Sequence, residues 1–271
     1  MTEKRGFHLT PMKKNPLDVL PIGAIYGELG SGKTTETLRA FSDYTWIVTR
    51  KSQLLGPASW IAANPEQAKE LGIAMPKRVM SIVDGRDADG NSTTDWEAWI
   101  RGFADLVKTR PGNYVLDEAT TLFRWAYATI CGRIRSGGRG AFDRVDAIKE
   151  LAQHLLQNTK ESECGAIWLC HFNERKLHEE GVNKGSMKYS EGPNFPIGTM
   201  IRELMLDFDF VWKIQIDGSG DQAQRSLLCH PAEGEVRKTA RHGAAQREEL
   251  DIHKLLTRLG YRLNSNQPAK G

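Results

Sequence analysis

The run GAIYGELGSGKTTETLRAF, residues 23–41, decides how this chain is read. Its first residues are apolar and suited to a buried strand, and its last ones have the make-up of a helix. Between them Gly27-Glu28-Leu29-Gly30-Ser31-Gly32-Lys33-Thr34 satisfies G-x-x-x-x-G-K-[ST], with Thr35 directly after it. Each residue type has a physical reason. Gly27, Gly30 and Gly32 allow backbone N–H groups to turn around phosphate oxygens with no Cβ in the way, and Ser31 lies among them. The N-terminus of the following helix adds partial positive charge at the same point. Lys33 supplies a mobile cation for β- and γ-phosphates, and the Thr34 hydroxyl is placed to ligate Mg²⁺. The expected ligands are therefore ATP and magnesium.

A magnesium ion held there needs an acidic partner on a neighbouring strand. YVLDEAT, residues 114–120, offers one: an apolar strand ending in Asp117, followed by Glu118. Asp117 is expected to hold the metal through water, and Glu118 to act as general base toward the attacking water. A third strand, AIWLC, ends at His171-Phe172-Asn173, where His171 or Asn173 is placed to sense the γ-phosphate.

Working outward, short apolar runs alternate with helical patterns, which predicts a mostly parallel sheet flanked by helices. The strand candidates are Gly23–Tyr26, Trp46–Thr49, Val79–Val83, Tyr114–Leu116 and Ala166–Cys170. Trp96, Ile100, Phe103 and Val107 form one helical stripe, and Val145, Ile148, Ala152 and Leu155 a second. After about residue 205 the pattern changes to strands and tight turns. Phe208–Ile216, Arg225–His230 and Glu235–Lys238 read as strands, with a hairpin loop at 218–221. A last helix carries Ile252, Leu255, Leu256 and Leu259 on one face. Residues 1–18 read as a flexible basic arm, 19–261 as one domain, and 262–271 as a disordered tail.

Bulk properties agree with one α/β domain. The chain has 271 residues, 26% charged and 39% hydrophobic, with a net charge of +3. That mild basicity permits a nucleic-acid partner without requiring one. No apolar run approaches the ~20 residues that span a bilayer, and the basic N-terminus has no apolar stretch behind it. Cys131, Cys164, Cys170 and Cys229 form no C-x-x-C pair, so they read as reduced, mostly buried thiols of a cytosolic protein.

With GELGSGKTT, DEAT, CHFNE and a late β-rich segment ending in RKTARHG in place, the chain resembles the RecA-like P-loop ATPases encoded by phages. Within them it is most similar to the single-strand annealing and recombination group, over roughly residues 20–245. The resemblance implies a RecA-like α/β fold with a C-terminal antiparallel β extension, and a homo-oligomer, ring or filament, in the cytoplasm of a host cell. It implies a basic element reaching the nucleotide of a neighbouring subunit, for which Lys238 and Arg241 are the candidates, spaced K-x-x-R where relatives have K-x-R. Recombinase relatives often carry an acid at the second strand, where this chain has Thr49 and Arg50; the general base is therefore placed at Glu118. The resemblance also implies two flexible loops for single-stranded DNA. The first falls on 131–140, with Arg133, Arg135 and Arg139 among glycines. The second falls within 174–198, with Lys176, Lys184 and Lys188. Three functions remain open on sequence: a DNA-stimulated ATPase of recombination or annealing, a packaging or helicase-type motor, and a nucleotide or small-molecule kinase.

Overall fold

A computed structural model describes residues 19–82, 94–137, 141–173, 176–177, 187–189, 191–196, 200–204, 206–219, 222–231 and 236–263. The basic arm at 1–18, Val83, Arg139, Lys184 and the segment 264–271 lie outside the described residues. In chain order the elements begin with β1 (Ile22–Gly27), α1 (Lys33–Phe41) and β2 (Thr45–Val48). Then come α2 (Leu55–Ala63), α3 (Pro65–Glu70), β3 (Arg78–Ser81), α4 (Trp96–Thr109) and β4 (Tyr114–Asp117). Next are α5 (Ala119–Gly137), α6 (Ala141–Glu161), β5 (Ala166–Asn173), β6 (Lys176–Leu177), β7 (Met187–Tyr189), β8 (Gly192–Pro193) and α7 (Met200–Leu204). The chain closes with β9 (Phe210–Asp217), β10 (Gln224–Leu228), β11 (Lys238–Thr239), β12 (Arg247–Glu249) and α8 (Ile252–Arg258).

The sheet runs β12-β10-β9-β1-β5-β4-β2-β3. Every neighbouring pair from β3 to β9 is parallel, and β10 and β12 continue antiparallel. This is the expected class: a mostly parallel α/β sheet between helices, with an antiparallel C-terminal extension. The central strands are continuous apolar runs because both faces are covered. Every residue of β1 is buried. One face packs on α4, α5 and α6 through Trp96, Phe103, Phe123, Leu155 and Trp168. The other packs on α1 and α8 through Leu38, Phe41, Trp212, Leu255 and Leu256. Arg39 of α1 pairs with Asp251 at the start of α8, 2.8 Å away.

The α4 stripe buries all four of its expected residues, and Asp95 caps the helix by accepting a hydrogen bond from the Ala98 N–H, 3.1 Å. Gly23 fits a close approach. A Cβ there would run into the Phe210 ring on β9.

Three expectations change. Residues 131–137 are not a loop; they are the last two turns of α5. Leu122, Phe123, Ala126 and Ile130 are buried along the first part of that helix, and their packing carries helical backbone through Gly132 despite its intrinsic cost of about 1 kcal/mol relative to alanine. Secondly, Arg262 and Leu263 are not part of a loose tail. Leu263 is buried, and the Arg262 N–H donates to the Val19 carbonyl, 3.2 Å. Thirdly, the acidic strand β4 is not the neighbour of β1, because β5 is inserted between them. No described helix is long and apolar enough to cross a membrane. Cys164, Cys170 and Cys229 are buried, Cys131 is partly so, and all four are free thiols.

Candidate nucleotide site

β1 ends at Gly27 and α1 begins at Lys33, so the glycine-rich run makes the turn between a buried strand and a helix. Gly30 and Gly32 take φ of 77° and 93°, the left-handed region that favours glycine. At Gly27 the constraint is space. A Cβ would come within 2.8 Å of the Ile214 carbonyl oxygen and 2.9 Å of Ser31 Oγ. Gly32 is the N-cap of α1, and no side chain caps the helix there. The first N–H groups of a helix have no carbonyl within it to bond. Here they open into the loop. Ser31 is fully buried, and its Oγ has no hydrogen-bond partner among the described residues.

Lys33 lies back over the loop. Its Nζ donates to the carbonyls of Gly27 and Glu28, at 2.9 and 2.8 Å. Burial lowers its pKa, against the opposing pull of the Glu118 and Asp117 carboxylates. An ammonium partly removed from water and hydrogen-bonded to two carbonyls is poised for a stronger anion.

Thr34 and Asp117 meet across the site. The Thr34 hydroxyl donates to Asp117 Oδ2 at 3.1 Å, joining the start of α1 to the end of β4. Asp117 is 4% exposed. Burial pushes its pKa up to about 6, while the Thr34 hydrogen bond and the Lys33 charge hold it down and Glu118 adds to the rise. A buried carboxylate raised by desolvation gains from a cation. Together with the threonine hydroxyl it makes the hard oxygen donor set that magnesium takes. The open helix end, the glycine turn and this oxygen pair fit a magnesium-bound triphosphate.

Glu118 follows Asp117, and α5 begins at the next residue. Its Oε1 is in contact with His171 Nε2 at the tip of β5. The inserted strand therefore brings His171 level with Gly27 in register and against Glu118. Thr120 fastens this corner: its Oγ1 accepts from the His171 backbone N–H at 3.0 Å. In sequence Thr120 is only the last residue of DEAT, since the fold alone shows what it faces. Thr49 is buried beside Asp117, its N–H donating to the Asp117 carbonyl at 2.9 Å, and Arg50 is exposed. The tip of β2 thus brings no carboxylate to the site, and Glu118 is the acid next to Asp117.

The other candidates lie elsewhere. Lys238 Nζ donates to the Phe208 carbonyl at 2.6 Å, and Arg241 donates to the Leu259 carbonyl at 3.0 Å while its guanidinium sits 3.8 Å over the Tyr261 ring. Reaching a neighbour's nucleotide would mean giving up these contacts within their own chain. Arg133 and Arg135 fall in the last turns of α5. Lys176 and Lys188 belong to the β6–β7 pair.

No protein-family model matches this chain. No curated protein matches it either. Among solved structures it is similar to the KaiC-like protein of the hyperthermophilic archaeon Pyrococcus horikoshii, at 13% identity and a TM-score of 0.43, over 84% of this chain and 83% of that one. At that identity and score nothing of what that protein does transfers to this chain.

Proposed function

We propose that this protein is a magnesium-dependent ATPase of RecA-like architecture, that single-stranded DNA stimulates its turnover, and that it works as a homo-oligomer in phage DNA recombination or annealing. The observation that carries the ATPase reading is the Thr34–Asp117 hydrogen bond. It ties the hydroxyl of the phosphate loop to the buried acid of a strand far away in sequence.

In this reading Lys33 leaves the Gly27 and Glu28 carbonyls for the β- and γ-phosphate oxygens, and the N–H groups at the start of α1 hold the same phosphates from below. Thr34 and Asp117 would hold a magnesium ion, which would supply positive charge to the phosphate oxygens. Glu118 takes the proton of the attacking water; the bond from the terminal phosphorus to the bridging oxygen breaks, and ADP and phosphate leave. His171 holds the Glu118 carboxylate in place from the tip of β5.

The DNA part of the proposal is supported by how α5 is built. The helix starts at the residue after Glu118 and ends in the arginine- and glycine-containing stretch. Its 19 residues make a rod about 28 Å long at about 1.5 Å per residue. A polyanion held by Arg133 and Arg135 would act on one end of an element whose other end adjoins the catalytic glutamate. Phosphate contacts of this kind are blind to base sequence and steeply salt-dependent.

Phosphate release from ATP, with and without oligonucleotide, tests the proposal. Wild type is expected to hydrolyse ATP faster with single-stranded DNA present. Glu118→Gln is expected to bind ATP and turn it over roughly 10²-fold more slowly, the scale on which a general base acts. Undiminished turnover in that variant would remove Glu118 from the chemistry. Turnover indifferent to oligonucleotide at every salt concentration would remove the DNA.

A further inference from the structure

The antiparallel part of the sheet brings one more cation to the phosphate loop. β9 runs beside β1 with Ile214 level with Gly27, and continues three residues further to Asp217. β10 then returns with Leu227 opposite Ile214 and Arg225 opposite Ile216. Alternate residues of a strand share a face. Leu227 and Ile214 lie in the core that packs on α1 and α8, so Arg225, two residues from Leu227, stands on the α1 side. There it meets the loop. A Cβ built on Gly32 would lie 3.9 Å from Arg225 Cδ.

Among the described residues the Arg225 side chain makes no hydrogen bond or salt bridge. It is exposed, and its charge acts on Glu36 in the first turn of α1. The other cation beside Glu36 is Arg39, which pairs with it at 3.9 Å and with Asp251 at 2.8 Å. The start of α1 therefore has no side-chain cap and has an arginine lying across its N-cap glycine.

We propose that Arg225 binds the phosphates of the nucleotide in its own subunit, on the α- and β-phosphate side. This rests on the ATPase reading of the P-loop. The side follows from strand order. Asp117 and Glu118 come from β4, two strands from β1 in one direction, and Arg225 comes from β10, two strands away in the other. The metal and the attacked terminal phosphate lie toward β4, so a cation on the opposite flank meets the phosphates nearer the ribose. A guanidinium suits the task because its planar fork takes two oxygens at once. No sequence motif marks Arg225, since its nearness to Gly32 is a product of the β9–β10 hairpin.

The test is calorimetric binding of Mg·ADP and Mg·ATP to wild type, Arg225→Ala, Arg225→Lys and Lys33→Ala, with thermal melting of each protein free of nucleotide. Arg225→Ala is expected to weaken ADP and ATP alike by about tenfold or more, the scale of one hydrogen bond to a charged group. Arg225→Lys is expected to recover part of the loss, and melting to stay as in wild type because the side chain is exposed. Wild-type affinity for both nucleotides in Arg225→Ala would overturn the proposal while leaving the P-loop reading intact. Loss of ATP affinity with ADP affinity unchanged would overturn the assignment to the α- and β-phosphates. Failure of wild type itself to bind either nucleotide would remove the P-loop reading, and this inference with it.

Discussion

Replacing Asp117 by asparagine is expected to make the nucleotide-free protein more stable and to destroy its response to magnesium. The carboxyl is 4% exposed, and burial lifts its pKa from 3.8 to about 6. The sign follows from linkage. A carboxyl raised in the folded state keeps its proton there to higher pH than in the unfolded chain. Stability therefore falls as pH rises between about 4 and 6, and the whole cost is present above that window. A difference of this size corresponds to about 3 kcal/mol at neutral pH. Asparagine carries no charge, and its carbonyl oxygen still accepts the Thr34 hydroxyl, so most of that cost disappears. For a chain of this size the gain corresponds to roughly 5–10 °C in melting temperature. The assay is thermal or urea unfolding in chelator at pH 7.5 and again near pH 5, wild type beside Asp117→Asn. The variant is expected to be the more stable at pH 7.5, with the gap narrowing on acidification. Addition of Mg·ATP is expected to reverse the order, because only wild type gains from the metal. A variant less stable than wild type at pH 7.5 in chelator, or a gap that does not depend on pH, would refute the argument that Asp117 is a desolvated charge waiting for a cation.

Other predictions follow from packing. Gly23→Ala is expected to destabilise the fold by about 1–3 kcal/mol or more, because the added methyl group meets the Phe210 ring; urea unfolding measures it, and a neutral result would mean that β9 moves freely against β1. Arg241→Ala is expected to lower stability by about 1–2 kcal/mol through loss of the Leu259 hydrogen bond and the Tyr261 stacking, with turnover per folded molecule preserved. Collapse of turnover at unchanged melting temperature would instead make Arg241 a trans-acting residue. Alanine at Arg133 and Arg135 together is expected to flatten the dependence of log DNA affinity on log salt by about 1.4 if both hold phosphates; an unchanged slope in a fluorescent-oligonucleotide titration would move the DNA contact elsewhere.

What could be read from the sequence was what local chemistry dictates. The phosphate loop requires particular residue types at fixed offsets, so residues 27–34 announced the turn between β1 and α1. The stripe Trp96, Ile100, Phe103 and Val107 was legible because helical periodicity and burial coincide there. The stretch 131–137 was not, because its own glycines and arginines argue for a loop, while the helix is imposed by Leu122, Phe123, Ala126 and Ile130 packing upstream. Strand order was hidden for a different reason. The insertion of β5 between β1 and β4 is a non-local pairing, and with it came the meeting of His171 with Glu118 and the Thr120 hydrogen bond that steadies it. Arg225 was out of reach in the same way. Lys238 and Arg241 differ again, since a basic run after the last strands looks poised for a neighbour, while the fold gives both residues contacts inside their own chain.

The central claim is that residues 27–34 and Asp117 together bind a magnesium nucleoside triphosphate, and calorimetric titration of ATP tests it most directly. Wild type and Lys33→Ala are titrated in magnesium and, separately, in chelator. Wild type is expected to bind one ATP per chain, tightly with magnesium and weakly without it. Lys33→Ala is expected to lose about a hundredfold or more, since truncating one partner of a hydrogen-bonded charge pair costs several kcal/mol. Equal binding by Lys33→Ala, or no binding by folded wild type in magnesium, would contradict the account.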